Sequence, residues 1–155
     1  MGILKKEAIC QIALVVKDIE QAARHYAELF GVDVPRIFQI PPHEEANTQY
    51  RGRPTSTRAK LAVIDLGPLV LELTEPDDEP SSWKEFLETN GEGVHHIGFM
   101  TDDREKTIGY FAQKGIPVRH YGEYPGGSYT FVDSGEQLGV ILNIKHEPKQ
   151  GGDPQ

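Results

Sequence analysis

Apolar positions along the chain alternate between a helical period and a strand period. Ile19, Ala22, Ala23, Tyr26, Leu29 and Phe30 recur at helical spacing. Asp18 is placed to cap that helix with Gln21 at the capping-box position, and Gly31 supplies a left-handed stop. A second helix repeats the design, with Asp102 and Glu105 as the box, Ile108, Phe111 and Ala112 as the stripe, and Gly115 as the end. A short third helix has Ser82 and Glu85 at its start, Trp83, Phe86 and Leu87 on one face, and Gly91 after it. Residues 9–16, 60–66, 69–74, 93–101, 128–133 and 138–145 are short β-rich runs, with weaker strands expected near 34–40 and 116–122. Residues 41–58 are polar, contain Pro41, Pro42, Gly52 and Pro54, and read as a long loop. The tail 147–155 has nothing to bury and is expected to be disordered.

The pattern occurs twice. Gln11-Ile-Ala-Leu-Val-Val-Lys-Asp precedes the first helix as His96-Ile-Gly-Phe-Met-Thr-Asp-Asp precedes the second, with an offset of 85 (96 − 11). Val63-Ile-Asp65 before Leu69-Val-Leu-Glu-Leu matches Phe131-Val-Asp133 before Val140-Ile-Leu-Asn-Ile, with an offset of 71 (143 − 72). The shortfall of 14 (85 − 71) places an insertion in the first copy, most economically within 41–58. Each copy reads βαβββ, so the expected fold is α+β: two tandem βαβββ modules forming one cup-shaped mixed or antiparallel sheet with helices outside. The expected domain spans 8–146, with module 1 at 8–75, a linker helix at 81–90 and module 2 at 92–146.

Four polar residues interrupt strands where the two faces must differ. Side chains alternate along a strand. Gln11 therefore shares a face with Ala13 and Val15, opposite the apolar Ile12, Leu14 and Val16. Glu72 lies opposite Leu71 and Leu73, His96 shares its face with Gly98, and Asn143 lies opposite Leu142 and Ile144. Pseudo-symmetry brings Gln11, Glu72, His96 and Asn143 onto one concave surface. His95 faces the other way, which assigns it to packing or to a hydrogen bond with a helix.

Composition narrows the function. Sixteen basic and 24 acidic residues give a formal charge of −8, the wrong sign for binding nucleic acid through phosphate neutralisation. The sequence has no apolar run of membrane-spanning length and no signal-peptide pattern at its start, so no membrane partner is expected and the cytoplasm is the default location. One cysteine excludes an intramolecular disulfide and any multi-cysteine metal site.

Three segments carry a resemblance: Gln11-Ile-Ala-Leu-Val-Val-Lys-Asp, the Leu71-Glu-Leu-Thr strand end, and Gly91-Glu-Gly-Val-His-His-Ile-Gly-Phe99 after the Trp83-Lys-Glu-Phe-Leu helix. Over residues 8–146 the chain resembles the vicinal oxygen chelate (glyoxalase/bleomycin resistance/dioxygenase) superfamily, and looks most like its methylmalonyl-CoA epimerase and glyoxalase I-like branch. The resemblance implies a divalent metal (Co, Ni, Zn or Mn) held by Gln11, Glu72, His96 and Asn143, with Glu72 as catalytic residue. It implies metal-assisted proton transfer beside a carbonyl, as in an isomerase or lyase, on an acyl-CoA or 2-oxo substrate. A homodimer is also implied, and the Trp83, Phe86 and Leu87 stripe, which reads as core or interface packing, offers it an apolar surface.

Asn143 departs from the family pattern, which has a Glu there. An amide ligates weakly and cannot act as a carboxylate base, although Glu44 or Glu45 in the inserted loop could supply a replacement. An alternative is therefore a metal-free small-molecule binding protein on the same fold. An extradiol dioxygenase-like site is a further alternative, but it needs two histidines and a carboxylate, and the motif offers one histidine. Arg51, Arg53 and Arg58 form a basic cluster in an acidic protein and are candidate anchors for an anionic substrate group. The segment ending in Tyr129 is a candidate rim of the cup.

Overall fold

The computed structural model describes residues 2–148. Its elements run β1 (Ile9–Val15), α1 (Ile19–Phe30), β2 (Phe38–Gln39), α2 (His43–Ala46), β3 (Gln49–Tyr50), β4 (Arg53–Pro54), β5 (Lys60–Asp65), β6 (Val70–Glu75), α3 (Ser82–Asn90), β7 (Gly93–Met100), α4 (Arg104–Gln113), β8 (Val118–Tyr124), β9 (Gly127–Val132), α5 (Gly135–Leu138) and β10 (Ile141–His146). All ten strands form one curled sheet in the order β2-β5-β6-β1-β7-β10-β9-β8-β3-β4. The α+β expectation holds. Each repeat opens on a strand that pairs in parallel with its own last strand, β1 with β6 and β7 with β10, and the two opening strands meet antiparallel at the centre.

Helix α1 starts where the sequence places it: the Asp18 side chain accepts from Gln21 N, and Gly31 adopts φ 64°. The other two caps each sit one residue from the expected position. Asp103, not Asp102, accepts from Lys106 N, and Ser81, not Ser82, accepts from Lys84 N. In both cases two adjacent residues have capping side chains, and spacing alone does not separate them.

Three apolar clusters hold the layers together. Val16, Ile19, Ala23 and Leu73 pack α1 on the outside of the first half. Phe111, Ile116, Leu142 and Ile144 do the same for α4 on the second half. The third cluster lies inside the cup, where Trp83 of α3 meets Val15, Phe131 and Ile141. Burying these side chains contributes about 1.5–3 kcal/mol each. The linker helix therefore plugs one end of the cup. This overturns the expectation that the Trp83, Phe86 and Leu87 stripe is a subunit surface: Trp83 is 2 % exposed, and Phe86 and Leu87 pack against the inner cluster. Exposed apolar side chains occur elsewhere, among them Leu29, Phe30, Val32 and Val34 around the end of α1.

Residues 41–58 are not a featureless loop. They cross from β2 on one edge of the sheet, through α2, and add β3 and β4 beyond β8 on the other half. The crossing is tied down by Thr55 Oγ1 to the Pro80 carbonyl (2.6 Å) and Thr57 Oγ1 to Asp77 (2.8 Å). Two-residue strands carry too little pattern to be legible in a sequence. Of the tail expected to be disordered, residues 149–155 lie outside the described residues, whereas Glu147 accepts a hydrogen bond from Tyr124 at 2.7 Å.

Candidate active site

Register brings the four strand residues to the centre of the sheet. Ala13 pairs with both Glu72 and His96, Gln11 pairs with Gly98, and Gly98 pairs with Asn143. Gln11 is the hub. Its Nε2 donates to Glu72 Oε2 at 2.7 Å, and its Oε1 lies 2.8 Å from His96 Nε2 and 3.1 Å from Asn143 Nδ2. Gly98 makes room for it, since a Cβ there would stand 2.8 Å from both Gln11 Cβ and Gln11 Oε1.

The direction of these bonds follows from one backbone group. Thr130 N–H can only donate, and it meets Asn143 Oδ1 at 3.2 Å. Asn143 must therefore turn its N–H toward Gln11 Oε1, which leaves the Gln11 amide N–H for Glu72. His96 Nε2 then donates to Gln11 Oε1. Its Nδ1 accepts from His95 Nδ1 at 2.8 Å, and His95 Nε2 accepts from Ser82 Oγ at 2.9 Å. A polarised chain thus runs from the start of α3 to a carboxylate. Both histidines are neutral. Burial pushes His95 down to about 3 and His96 well below the usual range, with the neighbouring ring adding to the effect on His96. His120, behind the Trp83 and Tyr129 rings, is likewise pushed down to about 3 by burial and by His95. His95 does bond to a helix, α3, but not from the opposite face: the β1/β7 register shifts between Ala13 and Leu14, His95 is the unpaired residue of that bulge, and its ring meets those of His96 and Phe131.

Above this floor lies a cavity of about 310 Å³. Phe38, Ile40, Leu61 and Val63 wall it on the first half, and Tyr124, Tyr129 and Phe131 on the second, with Trp83 at its end. Gln11, Glu72 and Asn143 line it, while His96 lies fully buried behind Gln11. Loss of water around Glu72 raises its carboxyl to about 7, against the lowering effect of Lys145 and of hydrogen bonds from Thr74 and Gln11. Tyr129, the candidate rim residue, is among the side chains that line the cavity. Lys145 and Trp83 also line it, and the sequence reading missed both. Lys145 carries a signal, a charge on the same strand face as Asn143; Trp83 is masked by its place in an apolar helical stripe.

The three arginines lie apart from this cavity. Arg51 pairs with Glu85 at 2.7 Å, Arg58 donates to the Ile40 carbonyl at 2.7 Å, and Arg53 is exposed. Glu44 and Glu45 sit on α2 outside the lining, Glu45 bordering a separate shallow depression with Tyr124.

The residues present do not fit the four-ligand metal set. Gln11 Oε1 and Glu72 have lone pairs to offer, but His96 Nε2 carries the proton it donates to Gln11 Oε1, and the fourth position presents the Asn143 N–H, held there by Thr130. One carboxylate and one imidazole remain, and no group of three His, Cys, Asp or Glu side chains suited to a metal occurs among the described residues.

A family model described as "Glyoxalase/Bleomycin resistance protein/Dioxygenase superfamily" matches residues 10–132. Among solved structures, a methylmalonyl-CoA epimerase in complex with methylmalonyl-CoA and NH4+ is 25% identical, with TM-score 0.63, covering 92% of this chain and 95% of that one. A methylmalonyl-CoA epimerase from Mycobacterium tuberculosis superposes with TM-score 0.67 at 14% identity, covering 97% and 93%, and establishes the fold alone. Among curated proteins, the 4-hydroxyphenylpyruvate dioxygenase of Legionella pneumophila (strain Corby) is 28% identical over 100 residues, which is 64% of this chain and 26% of that protein. The chain thus matches about a quarter of that relative's length.

Proposed function

Because the chain belongs to the Glyoxalase/Bleomycin resistance protein/Dioxygenase superfamily, we propose that it is a small-molecule isomerase of the epimerase or glyoxalase-like kind, moving a proton on the carbon beside a carbonyl. The observation that carries this reading is Glu72: a carboxyl held at about 7 by desolvation, facing an apolar cavity. Such a group exchanges a proton near neutral pH in either direction. Gln11 N–H holds Oε2, while Oε1 has only the long contact from Thr74 at 3.4 Å, so Oε1 is the freer base. The aromatic and aliphatic walls exclude water from the carbanion. The acyl-CoA bound in the epimerase structure makes methylmalonyl-CoA the first candidate substrate, and 2-oxo acids the second.

The test is solvent-deuterium incorporation at the carbon beside the carbonyl, followed by proton NMR. Wild-type protein should catalyse exchange, and Glu72→Gln should lower it by about 10²–10⁴. Equal exchange by both proteins removes Glu72 as the base. A second reading, a small-molecule binding protein, is favoured by Asn143, which puts an amide where a second base would stand. Saturable binding without exchange by the wild type would select it. A dioxygenase-like reading has less support, because His95 and His120 lie outside the cavity lining and His96 Nε2 is committed to Gln11.

A further inference from the structure

The cavity has donors in excess. Lys145 lies on the same strand face as Asn143, with its side chain 19% exposed. Among the described residues its ammonium has one carboxylate partner, Glu147 Oε1 at 3.9 Å, and it stands 6.0 Å from the centre of the Tyr124 ring. Glu147 is itself half in solvent and already accepts from Tyr124 at 2.7 Å. The second donor is Trp83, whose buried Nε1–H has no hydrogen-bond partner. A buried unsatisfied N–H costs about 1–3 kcal/mol, and a half-paired ammonium in apolar surroundings is costlier still. Both side chains line the same cavity, and its remaining walls offer rings and aliphatic carbon. Of the lining side chains, Glu72 is the one full carboxylate, and its Oε2 is occupied by Gln11.

Resting on the proton-transfer reading, we propose that Lys145 and Trp83 form the oxygen-binding end of this cavity, and that the part of the ligand it encloses is a compact aryl or branched acyl group whose carbonyl oxygen becomes anionic there. The charge balance of the step explains the pairing. Glu72 takes the proton from the carbon; the C–H electron pair becomes the C=C bond, and the carbonyl π pair moves onto oxygen. One negative charge thus leaves Glu72 and arrives on an oxygen beside the ammonium, with the indole N–H as a neutral second donor. Return of the proton from Glu72 to carbon restores both groups. The positive charge is thus supplied by Lys145, the next residue on the strand face of Asn143. The volume, about 310 Å³, admits a ring and a short side arm.

The experiment is calorimetric titration of the full chain with 3-phenylpropanoate and its neutral counterpart 3-phenylpropanamide, with quenching of the single tryptophan, Trp83, as a second readout. Wild-type protein should prefer the carboxylate by about tenfold. Lys145→Met should abolish that preference by weakening the carboxylate alone, and Trp83→Phe should weaken both probes a few-fold, since both carry an acceptor oxygen. Lys145→Gln keeps a polar side chain on the strand and should lose the preference as well, which guards against misfolding of the Met variant. Equal affinity of wild type for the two probes, retention of the preference in either Lys145 variant, or no binding of either probe at millimolar concentration would overturn the proposal. Binding is read without turnover. A preserved preference in a protein that catalyses no exchange therefore removes the proton-transfer reading alone, and exchange without a preference removes this inference alone.

Discussion

The two halves of the cup share a backbone plan and divide the chemistry between them. In the first half the closing strand presents Glu72 and then Thr74; at the equivalent positions the second half presents Asn143 and then Lys145. The first half walls the cavity mostly with aliphatic side chains and holds the acid, and the second walls it with rings and holds the ammonium. The opening strands differ in the same sense. Gln11 faces the cavity, while its counterpart His96 is fully buried and serves as a link behind it. Duplication of a module thus supplied two equivalent positions at each strand end, and the halves then took opposite charges. A site built from two carboxylates would need a cation to hold them together; one built from an acid and an amide is stable without it.

The largest test of that asymmetry is the pH dependence of exchange. Glu72 must be ionised to act as base, so the rate should rise with pH through about 7 and level off above it. Glu72→Gln should remove both the rise and about 10²–10⁴ of the rate. A rate that is flat between pH 5 and 9 would put the base elsewhere, and the comparison of halves would lose its acidic member.

The next effect is structural. Gly98 stands opposite Gln11 in the register, and its missing Cβ is what lets Gln11 reach both halves. Gly98→Ala should lower stability by about 1–3 kcal/mol in chemical unfolding, because a buried, doubly bonded amide must move. In the Gln11→Gly background, which removes both the Cβ and the amide that the new methyl would meet, the same substitution should cost much less, and a double-mutant cycle that is additive would dissociate the glycine from the hub.

Stability against pH separates the halves once more. Glu72 sits above its unfolded value near 4.5, so its contribution is fully present below that pH and is lost as pH rises through about 7. Glu72→Gln should then raise stability at pH 8 by up to about 2 kcal/mol, discounted for its partial exposure, and by little at pH 5. The histidines act in the opposite sense. His95 and His120, held near 3 by burial, contribute stability that is present above about 6.5 and lost as pH falls toward 3. Thermal melts across pH 4–9 check both: acid should destabilise wild type and variant alike, and only the alkaline limb should differ.

Much of this site was legible in the sequence because strand alternation and the repeat are both counting arguments. Gln11, Glu72, His96 and Asn143 were placed on one surface by period and offset, with no knowledge of the sheet. The misses have a common physical origin. The direction of the amide network depends on Thr130 N–H, a backbone group with no sequence signature. Trp83 belongs both to the inner core cluster and to the cavity lining, so a periodic stripe describes it incompletely. Arg51, Arg53 and Arg58 cluster in the sequence, yet the crossing segment carries Arg51 to Glu85 and turns Arg58 to a backbone carbonyl. Composition reports charge, and a two-residue strand decides where that charge goes.

The smallest effect expected is the one that restores symmetry. Asn143→Glu gives each half a carboxylate and removes the N–H that now faces Gln11 Oε1. Without metal, the new carboxylate would lie near Glu72 and lose the hydrogen bond to Gln11, so the apo variant should melt below the wild type. Added Co²⁺ or Zn²⁺ should recover that loss, since Gln11, His96 and two carboxylates then present four lone-pair donors. The expected gain over wild type is about tenfold in affinity, about 1.4 kcal/mol, read by titration of protein purified without a histidine tag and by elemental analysis. The His96 tautomer must invert for this, moving its proton to Nδ1 and reversing the bonds to His95 and Ser82. Ser82→Ala should accordingly lower the metal response of the Asn143→Glu protein more than it alters wild-type stability. Tight stoichiometric binding of a divalent ion by the wild type, unchanged by Asn143→Glu, would mean that the Asn143 amide turns over when metal arrives, and that the two halves are closer in function than their side chains imply.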